Sequence, residues 1–307
     1  MVTNKALSIR QRLLNLARQR EEDFDYVLRQ YVIQRLLYRL SVSPHVEHFL
    51  LKGALLFWVW NEDFHRPTRD IDLLTFDDND VEYLVGVFKS IVTTDNITTN
   101  EDDGLIFDLD SIIGIEIKED ADYSGGRVTG FANLAKARIP FQIDIGYGDI
   151  VIPKAEKAIL PSFLDLPSAN LNIYPVYSLL SEKFQAMVML GMANSRMKDF
   201  YDIWFVSQTI SIDGQLLLDA IEATFKRRNT PLENKQLYIF TDEFKEDKGK
   251  QIQWNAFKNR NVLDLRNDFS GTVKKLQLLL EPVYHASVNN DKFQFKWLSE
   301  ENKWGVF

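Results

Sequence analysis

The chain of 307 residues contains no cysteine. That excludes disulfides and thiolate metal centres and makes a reducing cytoplasm the expected setting. Its opening, "MVTNKALSIRQRLLNLARQREEDFDY", lacks the apolar segment of a secretory signal, so no export is expected. Long hydrophobic runs are missing as well. "ALLFWVW" is far too short to span a bilayer, and no membrane association is expected. The four histidines, His45, His48, His65 and His285, have no spacing that would hold zinc and read as ordinary surface or core residues. Positive charge is in deficit: the formal net charge of −8 excludes a uniformly basic, nucleic-acid-coating surface and leaves room only for local patches. "RQR" at 18–20, "KAR" at 136–138 and "KRR" at 226–228 are candidates for such patches, each also readable as a solvated face. Apolar residues are plentiful at 45%, enough to bury a sizeable core in one large domain or two ordinary ones.

Apolar spacings near three and four predict helix over 6–42, with a break where charge interrupts the pattern at 21–25 and an end at "SVSPH". "HFLLKG" reads as a short strand running into Gly53. "ALLFWVWN" follows as a buried helix, although its all-round apolar character also fits a central strand. "TRDIDLLTF" is a second strand and "DNDVEYLVGVFKSIV" (78–92) a surface helix. "LIFDLDSIIGIEIKED", "RVTGFANL" and "IPFQIDIGYGD" alternate in the manner of antiparallel strands, with "YSGG" expected as a turn among them. "GGRVTG" is no dinucleotide fingerprint, because no helix follows it. Four of the nine prolines fall in 153–175, which places a domain seam there. Four helical stretches follow: "VYSLLSEKFQAMVMLGM", "SRMKDFYDIWFVSQTI", "GQLLLDAIEATFKRR" and a weaker one at "LRNDFSGTVKKLQLLLEPV". "TDEFKEDKGKQ" (241–251) reads as a loop or a solvated helix end. The expected fold is α/β: residues 1–155 form a domain with a mixed sheet and N-terminal helices, and residues 176–307 form a mainly helical one.

Asp70 and Asp72 stand two residues apart in an apolar strand and so share one face, where like charges repel and unpaired burial is costly. Asp144 interrupts "FQIDIGYGD" in the same way, with Gln142 on its own face and Phe141, Ile143 and Ile145 on the other. An isolated D-x-D is weak and is often just a solvated strand end. Three such carboxylates suit Mg²⁺, which takes oxygen ligands, keeps waters and completes its shell with substrate phosphate. A pair of such ions would stabilise both the attacking and the leaving oxygen of a phosphoryl displacement. Gly53, at a strand-to-helix junction, adds backbone amides that can cradle phosphates.

This order of glycine, aspartate pair and single strand aspartate resembles the nucleotidyltransferase superfamily related to DNA polymerase β. Where that pattern has Gly-Ser or Gly-Gly, this chain has Gly53-Ala54, so the backbone amides would act without a hydroxyl. A narrower likeness runs from about residue 30 to 230. "LKGALL…RPTRDIDL", "YSGGRVTGFANL", "FQIDIGYGD", "YPVYSLLSEKFQAMVMLGMANSRMKDFYDIW" and "ATFKRRNT" are similar, in order, to the AbiEii/AbiGii-type nucleotidyltransferases. Those are toxins of type IV toxin–antitoxin and abortive-infection systems. The resemblance implies that Asp70 and Asp72, with Asp144, bind metal, that Lys183 contacts nucleotide phosphates, and that Asp199 is a second essential acidic position. Arg66 and Arg69 would bind triphosphate oxygens, with Gly53 and Ala54 beside them. Arg127 either lines the nucleotide cleft or neutralises the carboxylates, and Asp202 stays undecided.

From the residues alone, Lys183 after Glu182 reads by default as an exposed helix surface. Asp199 is equally an acid in a first helical turn, behind an N-cap at Ser195. The implied activity is Mg²⁺-dependent transfer of a nucleoside monophosphate from NTP to an acceptor, in a cleft between the two domains, with release of pyrophosphate. RNA, plausibly the 3′ end of tRNA, would be the acceptor, and an antitoxin the functional partner, in contact or not. A small-molecule or protein acceptor, or a non-catalytic nucleotide-binding scaffold, are the alternatives, and residues 232–307 match nothing.

Overall fold

The computed structural model describes residues 4–61, 66–77, 80–94, 102–120, 123–261, 263 and 268–306. His65 lies outside them, as do the first two residues of the expected helix at 78–92. The chain divides into two compact units, residues 1–148 with 156–174, and residues 149–155 with 175–307.

The first unit opens with α1 (Asn4–Arg20) and α2 (Phe24–Val42), broken where charge predicted a break. Glu21 adopts a left-handed backbone and the Asp23 carboxylate caps α2 by accepting from the Tyr26 amide at 2.9 Å. Then come β1 (Phe49–Lys52), α3 (Leu55–Asn61) and β2 (Ile71–Thr75). After α4 (Val81–Thr93), three long antiparallel strands run in succession: β3 (Leu105–Asp120), β4 (Tyr123–Leu134) and β5 (Ala137–Tyr147). "ALLFWVWN" is thus a helix, and the architecture is the mixed α/β one expected, with a mainly helical second unit.

Two expectations need correction. "YSGG" is strand, not turn: Gly125 and Gly126 pair with Gly146 and Ile145 of β5. The missing side chain at Gly126 makes room for Leu84 and the Tyr147 hydroxyl, so glycine here serves close packing. The supposed seam holds a strand pair, β6 (Glu156–Leu160) and β7 (Ala169–Ile173). Its prolines punctuate this strand pair from outside, since Pro161 and Pro167 fall between the strands and Pro175 precedes the next helix.

The seven strands run in the order β3-β4-β5-β2-β1-β7-β6, with β2 parallel to β5. One face, carrying Ile71, Leu73, Ile143, Ile145 and Val128, is buried. Helix α2 anchors there through polar groups as well as apolar ones. Arg35 and Arg39 both bind Asp103, at 3.2 and 2.9 Å, and all three side chains are buried. Gln30 donates at 2.6 Å to the Thr68 carbonyl, which ties the loop before β2 to the helix.

The second unit contains α5 (Val176–Leu190), α6 (Met197–Thr209), β8 (Ile212–Asp213), α7 (Gly214–Arg227), α8 (Asp242–Lys245), α9 (Lys248–Asn261), α10 (Phe269–Asn289), β9 (Phe295–Leu298) and β10 (Lys303–Val306). The last helix runs through Pro282 because its Leu276, Leu279, Leu280, Val283 and Tyr284 face is fully buried. The stretch at 241–251, expected as a loop or a solvated helix end, holds α8 and the start of α9 joined by a turn, with Phe244, Lys245 and Lys250 buried. A three-stranded sheet, β10-β9-β8, closes this unit.

Candidate active site

The sheet register aligns four charged side chains in one transverse row. Lys52 pairs with Asp72, Asp72 with Asp144, and Asp144 with Arg127, across β1, β2, β5 and β4. The charges run plus, minus, minus, plus, so adjacent carboxylates repel at the centre and cations flank them. Asp144 is held by Arg127 in a bidentate pair at 2.7 and 2.8 Å, and Gln142 donates to both of its oxygens at 3.2 Å. Arg127 therefore neutralises a carboxylate, one of its two expected roles. Asp70, just before β2, and Asp72 are half-buried, while Ile71 and Leu73 between and beside them point into the core.

Gly53 follows β1 with φ +71°, and a Cβ there would lie 1.8 Å from Asp72 Oδ2. Only glycine permits both this backbone and this approach. The turn's backbone and the Asp72 carboxylate are thereby pressed together. Ala54 beside it is buried, so its methyl belongs to the core. Arg66 is half-buried and Arg69 exposed in the segment leading to Asp70.

The residues suit a hard cation in part. Asp70 and Asp72 offer only carboxylate oxygens, as Mg²⁺ prefers, and the bare Gly53 leaves room for the Asp72 carboxylate itself. Among the described residues, however, no three His, Asp or Glu side chains already converge as a metal site. Asp144 is engaged by Arg127 and Gln142, which leaves part of its lone-pair capacity open. The fit is thus to a two-carboxylate site that leaves positions for phosphate and water.

In the second unit, Lys183 donates to Asp199 Oδ1 at 2.6 Å and lies 2.9 Å from Asp202 Oδ2. Arg196 holds the other Asp199 oxygen at 2.7 Å. Asp199 and Asp202 are completely buried and Lys183 is 14% exposed, so this is no solvated Glu-Lys face. Burial pushes the Asp199 carboxyl up, but Lys183 and Arg196 outweigh it and leave the group below the usual carboxylate range. Ser195 is not the N-cap of α6. That position falls to Arg196, whose amide is bound instead by the Asn194 side chain at 2.8 Å. Lys250, buried, donates to the Met192 and Asn194 carbonyls and fixes the loop before α6. Arg228, from the "KRR" triplet, pairs with Asp149 at 3.2 Å, and Arg138, from "KAR", lies over Phe131. His48 pairs with Asp77. Lys52 and the anchor Lys250 escaped the sequence reading. A lysine directly before the glycine turn was a usable signal for the first; for the second there was none.

Glycine-cradled carboxylates on adjacent strands suit phosphoryl chemistry. Comparison with known proteins gives the class, nucleotidyl transfer. The family model described as "Nucleotidyl transferase AbiEii toxin, Type IV TA system" matches residues 35–276, and the chain belongs to that family. Residues 231–276, which carried no recognisable motif, fall inside the match. Membership makes nucleotidyl transfer the general reaction type and implies an NTP substrate and an antitoxin partner. Two solved structures resemble the chain at 14% identity. They are JHP933 from Helicobacter pylori (TM-score 0.46, covering 94% of this chain and 96% of that one) and a putative nucleotidyltransferase from H. pylori (TM-score 0.47, 87% and 98%). No curated protein matched the chain. Among the described residues no helix is long and apolar enough to cross a membrane.

Proposed function

We propose that the protein transfers a nucleoside monophosphate from NTP to a hydroxyl of RNA, plausibly a tRNA 3′ end, and that Asp70 and Asp72 hold Mg²⁺ for the step. The observation that carries this is the contact between the Gly53 turn and Asp72, which joins a phosphate-binding backbone to a carboxylate pair. The acceptor oxygen attacks the α-phosphorus, the bond to the β-phosphate oxygen breaks, pyrophosphate leaves, and the hydroxyl proton passes to solvent. Bound Mg²⁺ supplies charge neutralisation at the phosphates. The Gly53 and Ala54 amides hold phosphate oxygens, and Arg66 and Arg69 add guanidinium groups nearby. Asp144, steadied by Arg127 and Gln142, completes the acidic centre. Lys183 offers its ammonium to the nucleotide's phosphates, with Asp199 and Asp202 fixing its position from their buried sites.

The test incubates purified protein with each α-labelled NTP, Mg²⁺ and total RNA. Label entering RNA, dominated by one nucleotide and one RNA size class, is expected. Labelling of a protein or small molecule instead would replace the acceptor, and no Mg²⁺-dependent NTP binding would leave only the scaffold.

A further inference from the structure

An open groove of about 230 Å³ lies beside Asp70, lined among others by Arg29, Arg69, Phe131, Pro140 and Gln142. Nothing in the proposed chemistry uses Arg29 or Phe131. We propose that this groove receives the 3′-terminal nucleotide of a single-stranded polynucleotide acceptor, an inference that rests on the nucleotidyl-transfer reading.

Charge is the first argument. Among the described residues neither Arg29 nor Arg69 has a carboxylate partner, although the chain as a whole carries a net charge of −8. Asp70 also lines the groove and Arg69 is assigned above to the triphosphate, so Arg29 is the guanidinium available to a phosphodiester oxygen of the acceptor. Arg138, 3.6 Å from the Phe131 ring centre, is paired with Asp108 at 3.5 Å and adds no free charge at the border. Surface chemistry is the second argument. Phe131 and Pro140 offer a flat apolar wall and Gln142 and Thr129 offer polar groups, the pairing by which proteins hold unstacked bases.

Size is the third argument. Pockets that enclose a whole small-molecule ligand measure roughly 300–1,000 Å³. This groove is smaller and open, so it suits one end of a larger acceptor. Position is the fourth. The groove lies on the β5–β4 flank of β2, whereas the Gly53 turn follows β1 on the other flank. In-line displacement sets attacker and leaving group on opposite sides of the phosphorus. With the triphosphate on the Gly53 turn, pyrophosphate departs on the β1 side and the attacking hydroxyl arrives from the groove.

The test measures binding of a 5′-fluorescein single-stranded oligoribonucleotide with a free 3′-hydroxyl to the full chain, by anisotropy over a salt series. Arg29→Ala should weaken binding about tenfold and reduce the log–log salt slope by about 0.7, the loss of one phosphate contact on a single strand. Arg29→Lys should restore most of the slope. Phe131→Ala should weaken binding about tenfold, within the range for one lost stacking contact. Phe131→Leu, which keeps the apolar packing, serves if the alanine variant melts early. Mg²⁺-dependent NTP affinity should stay within twofold of wild type in each. Unchanged oligonucleotide affinity and slope in both variants, or no oligonucleotide binding by the wild type, overturns the groove assignment. Wild-type transfer of label to a small molecule or protein with no oligonucleotide binding overturns the groove while leaving nucleotidyl transfer standing. Transfer undiminished in Asp72→Asn would instead sink the catalytic reading, and the groove is then judged on the binding curves alone.

Discussion

Replacing Gly53 by alanine puts the account under its most specific strain. An L-residue held at φ +71° costs about 1–2 kcal/mol in backbone energy. The new Cβ would begin 1.8 Å from Asp72 Oδ2, and contacts under 3.0 Å do not occur, so the carboxylate must retreat by about 1.2 Å (3.0 less 1.8). Displacing it off its rotamer adds about 0.5–1.5 kcal/mol. Together these predict a stability loss of about 1.5–3.5 kcal/mol, read as a lower urea midpoint with an unchanged m-value. A 1 Å misplacement in an active site can cost about 10²-fold in rate. Steady-state transfer from α-labelled NTP, measured where both proteins are folded, should therefore fall by about two orders of magnitude. A rate within threefold of wild type despite the stability loss would refute the link between the turn and Asp72. An unchanged urea midpoint would refute the contact itself.

Other expectations follow from the buried charges. Asp199→Asn removes the carboxylate between Lys183 and Arg196 and should cost about 3 kcal/mol at neutral pH, as breaking a buried pair does. Because the folded Asp199 titrates below its unfolded value, its contribution is full above about pH 4–5 and disappears as pH falls through the depressed folded value. Urea midpoints of wild type and variant should thus differ most at pH 7 and converge in acid; a gap independent of pH would contradict the ion pair. Asp103→Asn leaves Arg35 and Arg39 buried without their shared carboxylate and should destabilise by about 3–5 kcal/mol, measured the same way. A loss under 1 kcal/mol would show that water reaches the triad.

Local pattern made the order of helices and strands from α1 to β5 readable. The break at 21–25, the strand before Gly53 and the apolar-polar alternation around Asp72 and Asp144 each depend on neighbours in sequence. What stayed hidden depends on distant partners. No local rule shows that Asp144 lies directly opposite both Asp72 and Arg127, since that follows from sheet register across strands some 15 to 70 residues apart. "YSGG" misled because glycine pairs usually mark turns, whereas here they admit Leu84 and Tyr147 to a packed strand. The prolines of 153–175 misled because they flank a strand pair rather than interrupt it. Ser195 looked like a cap, but α6 starts one residue later, behind Arg196, and has no side-chain cap. Family motifs singled out Lys183 and Asp199; the complete burial of Asp199 came only from packing of α6.

The central claim is that Asp72 is kept for chemistry at some cost to the sheet, and Asp72→Asn tests it most directly. Transfer of label from α-labelled NTP and urea stability should be measured on the same preparations. Removing one of two facing carboxylates should leave stability unchanged or raise it by about 0.2–1 kcal/mol. Transfer should fall by at least about 10²–10³-fold, the size of losing one preorganised electrostatic group. Transfer at the wild-type rate, above all with reduced stability, would make Asp72 a structural residue and contradict the account.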